Sequence, residues 1–126
     1  MSEINRHSQQ SLTQLARLYQ VLLISGPRQV GKTYLAKSFF PNHKWVLLDR
    51  RILIDQARSD PALFLKNNPP PVIFDEIQRV PELLLEIKAL IDSNPIGLAE
   101  IILKGSQPLQ LMKSVTDSLA GRIGIL

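Results

Sequence analysis

Residues 20–33 read Gln20-Val21-Leu22-Leu23-Ile24-Ser25-Gly26-Pro27-Arg28-Gln29-Val30-Gly31-Lys32-Thr33. The opening of this stretch is a short, continuous apolar run, as expected for a strand covered on both faces. It breaks at Gly26-Pro27, and residues 32–40 then read as a helix stopped by Pro41. From Gly26 to Thr33 the residues satisfy G-x-x-x-x-G-K-[ST], with a strand before and a helix after, the setting in which that pattern has a physical meaning. Chance would produce the pattern in roughly one chain of this length in a few hundred, before the strand–loop–helix setting is required.

The chemistry asks for these residue types. Glycines let the backbone bend around an anion so that several N–H groups converge on its oxygens. The following helix aims its positive N-terminus at the same charge. Lys32 is placed to reach β- and γ-phosphates, and the Thr33 hydroxyl is a ligand for Mg²⁺. Gly26, Pro27, Arg28, Gln29, Val30, Gly31, Lys32 and Thr33, with Tyr34 next along, are therefore the candidate nucleotide contacts.

Outward from this loop, strands and helices alternate. Residues 8–19 place Leu12, Leu15, Ala16 and Tyr19 at helical spacing. Residues 44–49 (KWVLLD) read as a second buried strand and 52–58 as a helix. Asp60 is set to cap a short helix with Pro61 at its first position, and Pro69, Pro70 and Pro71 end it. A third strand, 72–75, leads to a helix from Pro81 with Leu83, Leu84, Ile87, Leu90 and Ile91 on its apolar face. A fourth strand spans 100–105, a helix 108–120 with Gly121 as its stop, and a fifth strand 122–126. Buried strands alternating with helices predict an α/β fold with a parallel sheet of about five strands, in one domain over residues 1–126.

The third strand, Val72-Ile73-Phe74, ends in two acids, Asp75 and Glu76. After a phosphate loop, such a pair predicts Asp75 in the Mg²⁺ shell beside Thr33. Glu76 is then suited to orient and polarise a water aimed at the γ-phosphate. Small-molecule kinases need no water-activating carboxylate, and the N-K-x-D segment of GTPases does not occur here, so the pair favours an ATP hydrolase. The fourth strand runs into Lys104-Gly105-Ser106-Gln107. Ser106 is the candidate γ-phosphate sensor, with Gln107 behind it, and Ser106 equally suits the N-cap of the next helix. Arg122 reads either as a solvated arginine after a helix end or as an arginine finger offered to a neighbouring subunit.

The chain has 126 residues, ordinary for one domain, with 44% hydrophobic and 21% charged residues. That composition excludes disorder, collagen and a coiled-coil rod. A net charge of +4 points to anionic partners without choosing among them. Without cysteine there is no disulfide framework or Cys-ligated metal site. The first twenty residues lack an apolar central run, and no apolar stretch is long enough to span a bilayer, so a cytoplasmic protein without a membrane partner is expected. The dispersed basic residues and few aromatics disfavour nucleic acid as a partner. His7 and His43 read as solvated histidines, Trp45 as core rather than an adenine platform, and residues 17–20 as the candidate adenine contact.

Taken together, GPRQVGKT, the strand ending at Asp49, VIFDEIQRVPELL and ILKGSQ followed by SLAGR resemble a prokaryotic group of AAA-superfamily ATPases that carry GPRQVGKT and DEIQ. The resemblance runs from about residue 18 to 126. It implies a P-loop three-layer sandwich with sheet order 5-1-4-3-2, ATP and Mg²⁺ as ligands, and Arg122 at the position of the superfamily's finger arginine. Lys104 departs from that group, which has a small polar residue such as threonine there. Lysine at this position is expected to pair with Asp75 or Glu76, or to reach solvent. Proteins of the group are much longer, so the resemblance implies an ATPase core without the lid and C-terminal domain. Three readings stand at this point: an ATPase, a nucleotide-binding interaction module with little turnover that acts on a homo-oligomer or separate partner protein, and, least favoured, a small-molecule kinase.

Overall fold

The computed structural model describes residues 6–25, 30–93, 96–105, 113, 117, 119 and 121–126; the side chains of 6–8, 25 and 30–34 lie outside that description. Its strands are β1 (Val21–Ser25), β2 (Lys44–Leu47), β3 (Val72–Asp75), β4 (Ile101–Gly105) and β5 (Ile123–Ile125). Its helices are α1 (Arg6–Ala16), α2 (Val30–Phe39), α3 (Arg51–Ser59), α4 (Pro61–Asn67) and α5 (Glu82–Ser93), with a 3₁₀ turn over Ile77–Arg79. Of the helix expected over 108–120, only Lys113, Asp117 and Leu119 are described, each helical.

Every strand pairing is parallel, and the sheet order is β2-β3-β4-β1-β5, which is the expected 5-1-4-3-2 read from the other edge. Alternation along the strands separates two cores, because successive side chains point to opposite faces. Val21, Leu23, Val46, Val72, Phe74, Ile101 and Leu103 pack under α3, α4 and α5 with Phe64, Leu83, Leu84 and Ile87. Leu22, Ile24, Ile73 and Ile102 pack under α1 and α2 with Leu12, Leu35, Ala36 and Phe40. That is the three-layer sandwich.

Local chemistry sets the punctuation. Asp60 caps α4 as its spacing predicts, accepting a hydrogen bond from the Leu63 amide at 3.1 Å, with Pro61 at the helix start. Gly121 adopts a left-handed φ of 80°, the conformation that ends helices most cheaply in glycine. Gly124 in β5 is required by close approach: a Cβ there would lie 2.6 Å from Tyr19 Cδ2 and 3.0 Å from Leu15 Cδ2. The C-terminal end of α1 thus rests directly on the edge strand.

One expectation changes. His43 is not solvated: its Nε2 lies 2.8 Å from the Ala99 carbonyl, and its ring packs 4.9 Å from that of Phe40. The side chain of His7 lies outside the description. Trp45 is half-buried and packs against the core under α2, with the Lys37 ammonium 4.7 Å from its ring centre, consistent with a structural place. Among the described residues, no helix is long and apolar enough to cross a membrane.

Candidate functional site

In a parallel sheet all strands end on the same edge, and connections to the helices leave from there. β1 ends at Ser25 and α2 opens at Val30, so the predicted phosphate loop bridges the carboxyl edge of β1 and the N-terminus of α2. Gly26, Pro27, Arg28 and Gln29 lie outside the described residues. Val30, Gly31, Lys32, Thr33 and Tyr34 form the first turns of α2, whose helix begins two residues earlier than the sequence pattern suggests.

The acidic pair arrives at the same edge. Asp75 ends β3, and the register places it opposite Lys104 of β4, which in turn lies opposite Ile24 of β1. Ile73 and Ile102 face α1 and α2, so Asp75 and Lys104, two residues further along, fall on the α2 face of the sheet. The sequence left Lys104 three options; the structure selects Asp75, with Nζ 3.5 Å from Oδ1 and both side chains 9% exposed. Asp75 Oδ1 also accepts a hydrogen bond from the Glu76 amide at 2.8 Å. Burial pushes the Asp75 carboxyl above its ordinary value. The Lys104 ammonium and the Glu76 amide pull it back down, and the neighbouring Glu76 charge adds to the rise.

Glu76 adopts φ 60°, ψ 41°, a left-handed conformation that costs a non-glycine residue of the order of 1 kcal/mol or more. That turn departs from β3 into the 3₁₀ turn and sends Glu76 off the strand's direction. Its Oε1 accepts from Gln78 Nε2 at 2.9 Å and pairs with Arg79 Nε at 3.6 Å. Arg79 is tied onward, since its carbonyl accepts from Arg58, which pairs with Glu82 of α5 at 3.8 Å. Sequence reading singled out Glu76 but missed Gln78 and Arg79. Their spacing, two and three residues after Glu76, is a signal only once a helical turn is known to start there.

Ser106 and Gln107 lie outside the described residues; the residue before them, Gly105, is paired with Ser25 at the mouth of β1. Arg122 is not brought to this edge. It precedes Ile123, which pairs with Val21 at the start of β1, so it lies at the amino end of the sheet. There it ion-pairs with Asp92 at the end of α5 and is 42% exposed. Residues 17–20, the candidate adenine contact, precede β1 and lie at that amino end as well.

The buried carboxylate oxygens of Asp75 are donors of the kind a hard divalent cation takes; the side chain of Thr33, the other candidate ligand, lies outside the described residues. The Lys104 ammonium 3.5 Å from Asp75 Oδ1 shows that this strand end holds positive charge.

Residues 18–126 match the family model described as an AAA domain. Among curated relatives, uncharacterised proteins of Mycobacterium bovis and Mycobacterium tuberculosis are each 33% identical over 107 residues, or 84% of this chain. The match spans 24% of each of those proteins, about a quarter of their length. A solved structure, the Walker-type ATPase of Pyrococcus abyssi, superposes with a TM-score of 0.62 at 22% identity, covering 97% of this chain and 52% of that one. That likeness is one of fold.

Proposed function

We infer, for a chain that belongs to the AAA-domain family, that it binds ATP through the loop after β1 and hydrolyses it at the carboxyl edge of the sheet. One observation carries this reading above the others. The acidic end of β3 lies near the end of β1 with only β4 between them, on the face that α2 covers. In this reading Lys32 and the loop amides hold the phosphates, and Thr33 and Asp75 hold Mg²⁺. When bound, that ion supplies charge neutralisation at the phosphate oxygens. Glu76 orients a water and takes up its proton as the new P–O bond forms and the bond to the ADP oxygen breaks. Ser106 contacts the γ-phosphate in this scheme. Arg122, at the opposite end of the sheet from its own loop, is in this scheme a finger for a neighbouring subunit's γ-phosphate.

Lys32→Ala is expected to weaken ATP binding at least tenfold, as loss of a charge-assisted contact of about 1.5–3 kcal/mol implies. Glu76→Gln is expected to keep binding and lose turnover. ATP hydrolysis by Glu76→Gln at the wild-type rate would refute the assignment of the water-activating group. A second reading, a nucleotide-binding module with little turnover, draws support from the engagement of Glu76 by Gln78 and Arg79. Tight ATP binding with no steady-state phosphate release by the chain would favour it.

A further inference from the structure

β4 is the middle strand of five, and each of its residues, Ile101, Ile102, Leu103, Lys104 and Gly105, is buried. A fully covered parallel strand calls for apolar side chains, so a lysine there needs a reason. Stability does not supply one. A buried ion pair rarely stabilises a fold more than well-packed apolar residues of the same volume, because desolvating two charges offsets their attraction. The position of the pair is informative. Among the described residues each member of the acidic pair faces a cation, Lys104 for Asp75 and Arg79 for Glu76. Arg79 is half-exposed, whereas Lys104 is enclosed between β1 and β3 beside the loop-bearing strand.

We propose that Lys104 is a built-in counter-cation of the nucleotide site, which competes with a divalent metal ion for Asp75 and lets the chain bind ATP with little dependence on that ion. The inference rests on the ATP-binding reading above. Its physical basis is charge. A cation shared by Asp75 meets the ammonium already there, which weakens metal binding to the nucleotide-free protein. A triphosphate delivered to the loop after β1 brings negative charge to the face of the sheet on which the ammonium lies, so Lys104 supplies part of the neutralisation otherwise drawn from metal. Lys104 is in this sense a positioning residue for charge, separate from Lys32.

The test is ATP affinity, by isothermal titration, in excess Mg²⁺ and in EDTA, for the wild-type chain, Lys104→Met and Lys104→Arg. The wild type and Lys104→Arg should bind ATP within about threefold in the two conditions. Lys104→Met should lose about tenfold or more in EDTA and little in Mg²⁺, as removal of one charge-assisted contact implies. Mn²⁺ binding to the nucleotide-free protein, read by paramagnetic resonance, should tighten in Lys104→Met. Should that variant fail to fold, Lys104→Gln, which keeps a donor for Asp75 but no charge, gives the same comparison. An unchanged ratio of the two affinities in the neutral variant overturns the proposal, as does a wild type that needs metal by tenfold or more. A wild type that binds no ATP in either condition overturns the ATP-binding reading and this inference with it.

Discussion

At the carboxyl end of the sheet, β3 and β4 finish on Asp75 and Lys104, charges buried in a layer of apolar side chains, and Glu76 turns away in a left-handed conformation. At the amino end the same sheet is closed by packing and backbone hydrogen bonds. Tyr19 and Leu15 press on Gly124, the Ala99 amide donates to the Tyr19 carbonyl at 2.8 Å, and His43 meets the Ala99 carbonyl. Among the described residues each end holds one non-glycine residue at positive φ, Glu76 at 60° and Ala99 at 55°. Yet the two are held differently. Glu76 is held through its backbone amide on Asp75 and also through its carboxylate, by Gln78 and Arg79, whereas Ala99 has only a methyl group and is held through its backbone alone. The strain at Glu76 sits on a charged residue beside the candidate site, whereas the strain at Ala99 sits on a methyl-bearing residue fitted between neighbours.

The contrast can be broken by substitutions at either end. The largest effect belongs to Glu76→Gln, for which turnover should fall roughly a hundredfold to ten-thousandfold, the range for loss of a positioned general base. Phosphate release under saturating ATP measures it. Next is Gly124→Ala at the amino end. The added methyl meets Tyr19 and Leu15 inside contact distance and should destabilise the fold by about 1–3 kcal/mol in urea unfolding. ATP affinity per folded molecule should stay unchanged. The smallest effect is Ala99→Gly, where relief of left-handed strain is largely offset by the greater freedom of glycine when unfolded, leaving a gain within about 1 kcal/mol. A large loss of turnover from either amino-end variant, at full folding, would erase the division between the two ends.

The candidate site was legible where its information is local. The loop from Gly26 to Thr33 and the pair Asp75-Glu76 are contiguous motifs whose residue types follow from the ligand's charge, and the cap at Asp60 is a contact over three positions. Other parts were hidden because they depend on the register between distant strands. Nothing in ILKGS tells which acid Lys104 meets; only the β3–β4 register, setting Lys104 against Asp75, decides it. His43 was misread for the same reason, since its partner Ala99 is far along the chain. The engagement of Glu76 by Gln78 and Arg79 depends on a left-handed turn that a glutamate does not favour.

By itself, then, the sequence determined the alternation of strand and helix and the parallel sheet, because periodicity and short motifs act through neighbouring bonds. Tertiary structure alone decided which charges face each other at the mouth of the sheet, and that Arg122 lies at the far end, against Asp92. Those pairings join residues brought together by burial and strand register. Their energies depend on an enclosed, poorly solvated setting that exists only after the chain has folded.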